Sequence, residues 1–280
     1  METREENIVA GYDGSPGSAE ALEWAAQEAR LRGASLTVCH AWNPQPLPAA
    51  GAEVPDPARA QAECILADGV KRAQAAAARG AEVRSLLARG PAARVLCEQS
   101  AGADLMVVAS HGVGGLPGLL LGSVSLQVAA HAQFSVTVVR GHWRPAPGQY
   151  PAPVVAGADG SPEAGAALEF AFAEAALRDV PLIAVCALSD SAGVVGIARE
   201  VEAAFGAAVD KAQAAYPDVV VQRRVDPGAP RSALLTAAAR GQLLVVGARG
   251  RGGLQEMVLG SVSLALLHHA ACPVTVVRRG

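Results

Sequence analysis

Short, uninterrupted apolar runs alternate along this chain with longer segments in which alanine and leucine recur among Glu, Gln and Arg at helical spacing. Ile8 to Tyr12 reads as a first strand, and Ser15-Pro16 then supplies an N-cap and a first-turn proline for a helix running to about Arg32. The pattern continues with a strand at 36–41, a helix at 57–79, a strand at 82–87, a helix at 92–101 and the fully apolar strand 105–109. A glycine-rich loop, a helix from Ser123 to His131 and a strand from Val136 to Arg140 close the series. Apolar strands alternating with helices predict a parallel sheet covered on both faces, so the fold class is α/β: a doubly wound unit with five strands. Such sheets bind ligands beyond the carboxyl ends of their strands, at the point where strand order reverses, and the glycine-rich loop falls there.

The whole pattern occurs twice. Ile8 to Pro16 matches Val154 to Pro162 at an offset of 146 residues, and Gly112 to Arg140 matches Gly250 to Arg278 at an offset of 138. The difference places eight extra residues in the first copy, most naturally in the proline-rich stretch from Asn43 to Pro57. A repeat this long is too large for a solenoid unit, so each copy is expected to be a domain with its own core. The expected boundaries are 1–142 for the first domain, 143–153 for a semi-rigid proline-rich linker and 154–280 for the second domain.

Composition narrows the function. A net charge of −3, with basic residues never in runs longer than a pair, offers neither a nucleic-acid footprint nor a basic membrane face. The amino terminus is charged and no apolar stretch is long enough to span a bilayer, so a soluble, cytoplasmic protein is expected. The five cysteines lie far apart without metal-ligand spacing and read as thiols in a reducing compartment. The two lysines and the abundance of alanine carry no functional weight.

The chemistry concentrates in the loop. In the second copy Gly247-Ala-Arg-Gly250 is followed, after nine intervening residues, by Gly260-Ser261-Val262-Ser263 opening a helix. Glycines let main-chain N–H groups approach phosphate oxygens, and the helix amino terminus adds partial positive charge. Ser261 and Ser263 offer hydroxyl donors, and Arg249 and Arg251 would screen phosphate charge. A Walker loop and a dinucleotide fingerprint are both absent.

The spacing G-x2-G-x9-G-S after a strand, with an aspartate ending the first strand, resembles the ATP-binding form of the universal stress protein family over nearly the whole chain, twice. The resemblance implies ATP with its adenine against main chain at the end of the second strand and its phosphates on the glycine loop. The matching positions in the second copy are Ala158, Asp159, Gly160, Ala187, Val246, Gly247, Arg249, Gly250, Gly260, Ser261, Val262 and Ser263. In the first they are Tyr12, Asp13, Gly14, Ala41, Val108, His111, Gly112, Gly122, Ser123, Val124 and Ser125. The first copy departs at Ala109, where the motif has its first glycine, so its methyl is either tolerated or displaces the ribose.

Asp13 and Asp159 would sit beside the phosphates and are candidate Mg²⁺ ligands; the competing reading is that each orders its Asp-Gly-Ser turn. Arg249 is read either as a ribose or phosphate contact or as a solvated loop charge. His40, His131, His268 and His269 are read as packed or surface imidazoles, and Trp24, Trp42 and Trp143 as packing or linker residues. Three functions remain open. The leading one is a nucleotide-dependent stress or regulatory protein acting on a protein partner, without catalysis. A weak ATPase lacks a placed group to activate water, with Asp159 and Glu256 the nearest carboxylates, and the last reading is a nucleotide-free dimerisation scaffold. The resemblance also implies pairing of the last strands, within one chain or between two, and cyclic AMP stands open as an alternative ligand.

Overall fold

The computed structural model describes residues 6–44, 57–78, 80–113, 121–140, 151–188, 195–250 and 258–278. The centre of the proline-rich insertion, most of the expected linker with Trp143, and both Arg251 and Glu256 lie outside the described residues. The chain divides into two compact units, Met1–Gly141 and His142–Gly280.

In the first unit, β1 (Asn7–Gly11), α1 (Pro16–Arg32), β2 (Ser35–Trp42), α2 (Pro57–Ala77), β3 (Val83–Arg89), α3 (Ala92–Gln99), β4 (Leu105–Ala109), α4 (Ser123–His131) and β5 (Ser135–Val139) follow one another. The second unit repeats the series as β6 (Val154–Gly157), α5 (Pro162–Arg178), β7 (Leu182–Leu188), α6 (Val195–Gln213), β8 (Val221–Pro227), α7 (Pro230–Ala238), β9 (Leu243–Gly247), α8 (Ser261–His269) and β10 (Val274–Val277). Each unit is a parallel five-stranded sheet, ordered β3-β2-β1-β4-β5 in the first and β8-β7-β6-β9-β10 in the second. Strand order reverses on either side of β1 and of β6, which fixes the switch point beyond the ends of β1 and β4, and of β6 and β9.

Local sequence explains the punctuation. Ser15 Oγ accepts from Ser18 N ahead of Pro16, and Ser161 Oγ accepts from Ala164 N ahead of Pro162. Helix α1 ends at Gly33 in the left-handed region (φ +64°), a geometry a Cβ would strain. Burial sorts the strands as the apolar runs imply: β4 and β9 are buried throughout, while the outer β3 and β8 are largely open. Ile8, Leu22, Leu36, Leu105 and Met106 fill the first core, and Leu168, Phe172, Leu182, Phe205, Leu243 and Leu244 the second. Each unit also buries one carboxylate on its first helix, Glu28 or Glu174, paired with the arginine one turn on, Arg32 or Arg178.

Element ends shift by one or two residues from those expected, and two differences have a visible cause. Strand β3 runs to Arg89 rather than Leu87, because the ladder with β2 continues as far as Trp42 opposite Arg89. The end of the expected linker is not a spacer: Ala152 is buried, its carbonyl accepts from Gln242 Nε2, and Pro153 O accepts from Gln242 N at 2.9 Å.

Candidate functional site

In the first unit a cavity of about 330 Å³ opens at the carboxyl ends of β1, β2 and β4. Its floor comes from the strand ends, Gly11 to Asp13, Cys39 to Ala41, and Val108 with Ala109. One wall is the loop after β4, with His111, Gly112 and Val113; another is the first turn of α4 from Gly122 to Ser125, and Ser18, Ala92 and Leu96 complete the lining. Of the residues expected at this site, the structure brings together Tyr12, Asp13, Ala41, Val108, His111, Gly112, Gly122, Ser123, Val124 and Ser125 around one space; Gly14 does not line it. Gly14 acts one step back, holding the turn after β1 at φ +83°, and Gly160 does the same at φ +76°.

Asp13 ties two segments together. Its Oδ1 accepts from Ser15 N at 3.0 Å, forming the turn, and its Oδ2 accepts from Val113 N at 2.8 Å, holding the loop after β4. Burial pushes the Asp13 carboxyl up, but donors on Ser15, Val113 and Ser18 outweigh it and hold it below the ordinary carboxylate range. The loop approaches so closely that a Cβ at Gly112 would fall inside contact distance of Asp13 Oδ2. Asp159 repeats the turn, accepting from Ser161 N at 2.9 Å, and a Cβ at Gly250 would lie 2.5 Å from its Oδ2. The second glycine of the motif is therefore required by the aspartate, whatever ligand the loop takes. Both Asp13 oxygens already receive N–H donors, which is the geometry of a turn-former; among the described residues no cluster of three His, Cys, Asp or Glu side chains forms a ready metal site.

The mouth of the loop is pinned in both units. Gly122 N donates to Ser110 O at 2.7 Å and Gly260 N to Ala248 O at 2.8 Å. Helices α4 and α8 have Gly122 and Gly260 as N-caps, and among the described residues no side chain caps them, which suits their first N–H groups to a ligand or to water. Here one expectation is corrected: the Ser263 hydroxyl, read as a donor to the ligand, is buried and donates its proton to the strand carbonyl of Gly247 (2.8 Å), as Ser125 does to Ala109 (2.5 Å), so both lock helix to strand. Ser123 and Ser261 remain exposed beside Val124 and Val262.

Several lining residues carried no separate signal in the sequence. His40 is buried, with Nδ1 2.7 Å from Tyr12 O, so it braces the end of β1 while facing the cavity. The Tyr12 ring lies against Gly69 of α2, where a Cβ would come within 2.6 Å of Cδ1, and its hydroxyl donates to Asp68 at 2.5 Å. Burial, then the Asp68 hydrogen bond and charge, push the Tyr12 phenol up to about 12. Burial likewise raises the Cys39 thiol to about 11, keeping it protonated and inert at neutral pH.

The second unit shares the frame but differs in its side chains. Ala158 stands where Tyr12 does, its N donating to Val185 O as Tyr12 N does to Cys39 O, and Ala187 lies one residue before the end of β7. Val246 and Gly247 end β9, buried like Val108 and Ala109. Arg249 lies 3.6 Å from Glu163 in the first turn of α5, a half-exposed pair of little energetic weight.

Each unit is thus an α/β domain with a switch-point cradle formed by an aspartate turn, a glycine loop and an uncapped helix amino terminus. Comparison with known proteins identifies the class. The family model described as "Universal stress protein family" matches residues 5–140 and again 152–278, and the chain belongs to that family. It is 38% identical to a universal stress protein of Mycobacterium tuberculosis over 99% of this chain and 98% of that protein. It is 35% identical to one of Mycolicibacterium smegmatis over 98% of this chain and 97% of the other. Among solved structures, a universal stress protein from Archaeoglobus fulgidus shares the fold with a TM-score of 0.71 at 22% identity, covering 98% of this chain and 96% of its own.

Proposed function

We propose that this tandem universal stress protein binds adenine nucleotides of the ATP class and acts through occupancy, as a nucleotide-dependent regulatory protein and not as an efficient hydrolase. The observation that carries the reading is the cavity at the end of the first sheet, which combines two environments. The end of β2 contributes Cys39, His40 and Ala41 to the lining, and in this reading they seat the base. Elsewhere in the lining, Gly112 and the uncapped first turn of α4 offer N–H groups to phosphate oxygens. Its volume of about 330 Å³ falls at the small end of ordinary ligand pockets.

Magnesium, in this reading, arrives on the phosphates and is coordinated mainly by their oxygens and water. Asp13 and Asp159 keep the turns in place and lie at its edge. Asp13 is spoken for by Ser15 and Val113, so it is poorly set to activate a water, which supports binding without efficient turnover.

The test is calorimetric titration of nucleotide-stripped full-length protein with ATP and Mg²⁺, with AMP and cyclic AMP as parallel ligands, followed by phosphate release over hours. ATP binding without appreciable release is expected. Tighter binding of cyclic AMP would change the ligand, and no binding of any of the three would overturn the reading.

A further inference from the structure

The two copies differ at the first motif glycine, Gly247 in one and Ala109 in the other, and this looks like decay of the first site. They differ at a second position too: Glu163 opens helix α5 where Gly17 opens α1, at the same place after the Asp-Gly-Ser-Pro turn. The structure joins these differences. A Cβ on Gly17 would stand 3.6 Å from the Ala109 Cβ and only 2.9 Å from the His111 carbonyl oxygen. A Cβ on Gly247 would stand 3.1 Å from both the Cβ and the carbonyl carbon of Glu163, and 3.1 Å from the Arg249 carbonyl oxygen. Where the strand carries a methyl the helix carries none, and where the helix carries a side chain the strand is bare.

We propose that Ala109 with Gly17, and Gly247 with Glu163, are reciprocal solutions of one packing constraint, which makes Gly17 and Glu163 positioning residues of the phosphate loop and leaves the first unit as complete a nucleotide site as the second. The proposal rests on the nucleotide-binding reading for its functional consequence. At the second unit's spacing the crossing of the first helical turn over the strand end takes one Cβ; in the first unit the two Cβ positions would be 3.6 Å apart, and the His111 carbonyl oxygen is the tighter limit. The atoms that a second Cβ would displace are the carbonyl oxygens of His111 or Arg249, and each belongs to a rigid peptide plane whose other end is the N–H of Gly112 or Gly250. Tilting that plane re-aims a loop N–H at the phosphate end of the site. With the exchange in place the loops are held alike: Ser110 N to Val139 O and Ala248 N to Val277 O, the Gly122 and Gly260 contacts across the loop mouth, and the Ser125 and Ser263 locks onto the strands. Ala109 thus lies beside α1 at Gly17 while forming part of the cavity floor.

Two double-mutant cycles on the nucleotide-stripped full chain test this, titrated with ATP and Mg²⁺ and melted in parallel. Two sites per chain are expected in the unmodified protein. Gly247→Ala in the second unit and Gly17→Glu in the first should each weaken one of the two sites by about tenfold. Adding Glu163→Gly to the former should restore that site to within about twofold, which a general loss of structure would not allow, and Ala109→Gly added to the latter should restore it in part, by freeing the helical turn to move off the His111 carbonyl oxygen. A single site in the unmodified chain that disappears with Gly247→Ala would overturn the proposal, as would single variants that leave both sites unchanged or double variants no better than the singles. If the unmodified protein binds no nucleotide, the functional reading fails, and the melting cycles alone decide the exchange: coupled shifts uphold the packing constraint and additive shifts remove it.

Discussion

Helix glycines offer a quantitative check on how the cavity wall is built. Gly69 lies in α2 with the Tyr12 ring against its Cα, and a Cβ there would come within 2.6 Å of Cδ1, 2.9 Å of Cε1 and 3.1 Å of Cγ. Gly165 in α5 and Gly206 in α6 have nothing within 4 Å of the same position. Alanine at each of the three gains roughly 1 kcal/mol of helix propensity. At Gly165 and Gly206 nothing opposes the gain, so each variant should be stabilised by about that much, worth roughly 3 °C in a domain of this size. At Gly69 the ring cannot simply rotate away: it is almost fully buried, and its hydroxyl is fixed on Asp68. Overpacking of this kind costs roughly 1–3 kcal/mol, so Gly69→Ala should be neutral to destabilising by about 2 kcal/mol net. Thermal melts of the three variants side by side, scored against the unmodified chain, make the comparison. If Gly69→Ala raises the midpoint as much as Gly165→Ala does, the Tyr12 ring is not held against α2, and the cavity wall described above is wrong.

Other outcomes follow from the same contacts. Because the Asp13 carboxyl is held below its ordinary range in the folded state, its contribution is present above about pH 4 and fades as pH falls through the folded value; Asp13→Asn should remove that part of the acid limb in stability against pH. Tyr12 runs the other way. Its phenol is raised from 10.0 to about 12, so its contribution is present below pH 10 and is lost as pH climbs towards 12, and Tyr12→Phe should delete a phase near pH 12 from the phenolate absorbance titration. Alkylation of the native protein at neutral pH, followed by peptide mapping, should label the exposed Cys64 while sparing Cys39 and Cys272, whose thiols burial raises to about 11 and about 12. Gly250→Ala, which would set a Cβ 2.5 Å from Asp159 Oδ2, should weaken nucleotide binding in the second unit more than it lowers the melting point; equal binding by the variant would mean that the loop does not need this close approach.

Much of the architecture was legible because it is written locally. Apolar runs as short as Leu105 to Ala109 are buried throughout, and Ser15-Pro16 marks the start of α1 as the capping rules require. The repeat then doubled every local signal. The site was legible as a set of positions, since strand ends and the loop glycines converge by topology alone. What the sequence does not carry is which residues answer one another across the fold. Asp13 reads equally well as a metal ligand or a turn-former until Val113, 100 residues on, is found donating to it. Ser263 reads as a phosphate donor until the carbonyl of Gly247 takes its proton. Ala109 reads as damage while Gly17 reads as an unremarkable helix residue, because their relation exists only where β4 passes beneath α1.

That relation bears on how a duplicated chain keeps its halves apart while it folds. The two units offer nearly interchangeable central strands: Ile8-Val-Ala-Gly11 against Val154-Val-Ala-Gly157, and Leu105-Met-Val-Val108 against Leu243-Leu-Val-Val246. Parallel pairing of β1 with β4 must wait for a segment nearly a hundred residues away, and slow closure of this kind exposes a tandem repeat to assembly from the wrong copy. A chain that laid α5 over β4 in the geometry of the first unit would press the Glu163 Cβ on the His111 carbonyl oxygen, which a Cβ at Gly17 would approach to 2.9 Å. One that laid α1 over β9 would set Gly17 over Gly247, without the Cβ that Glu163 places against the strand end there. On the proposed exchange each unit's own helix fits its strand end best, so a pair of substitutions that resembles erosion of a binding motif would also help the two halves of the molecule stay apart.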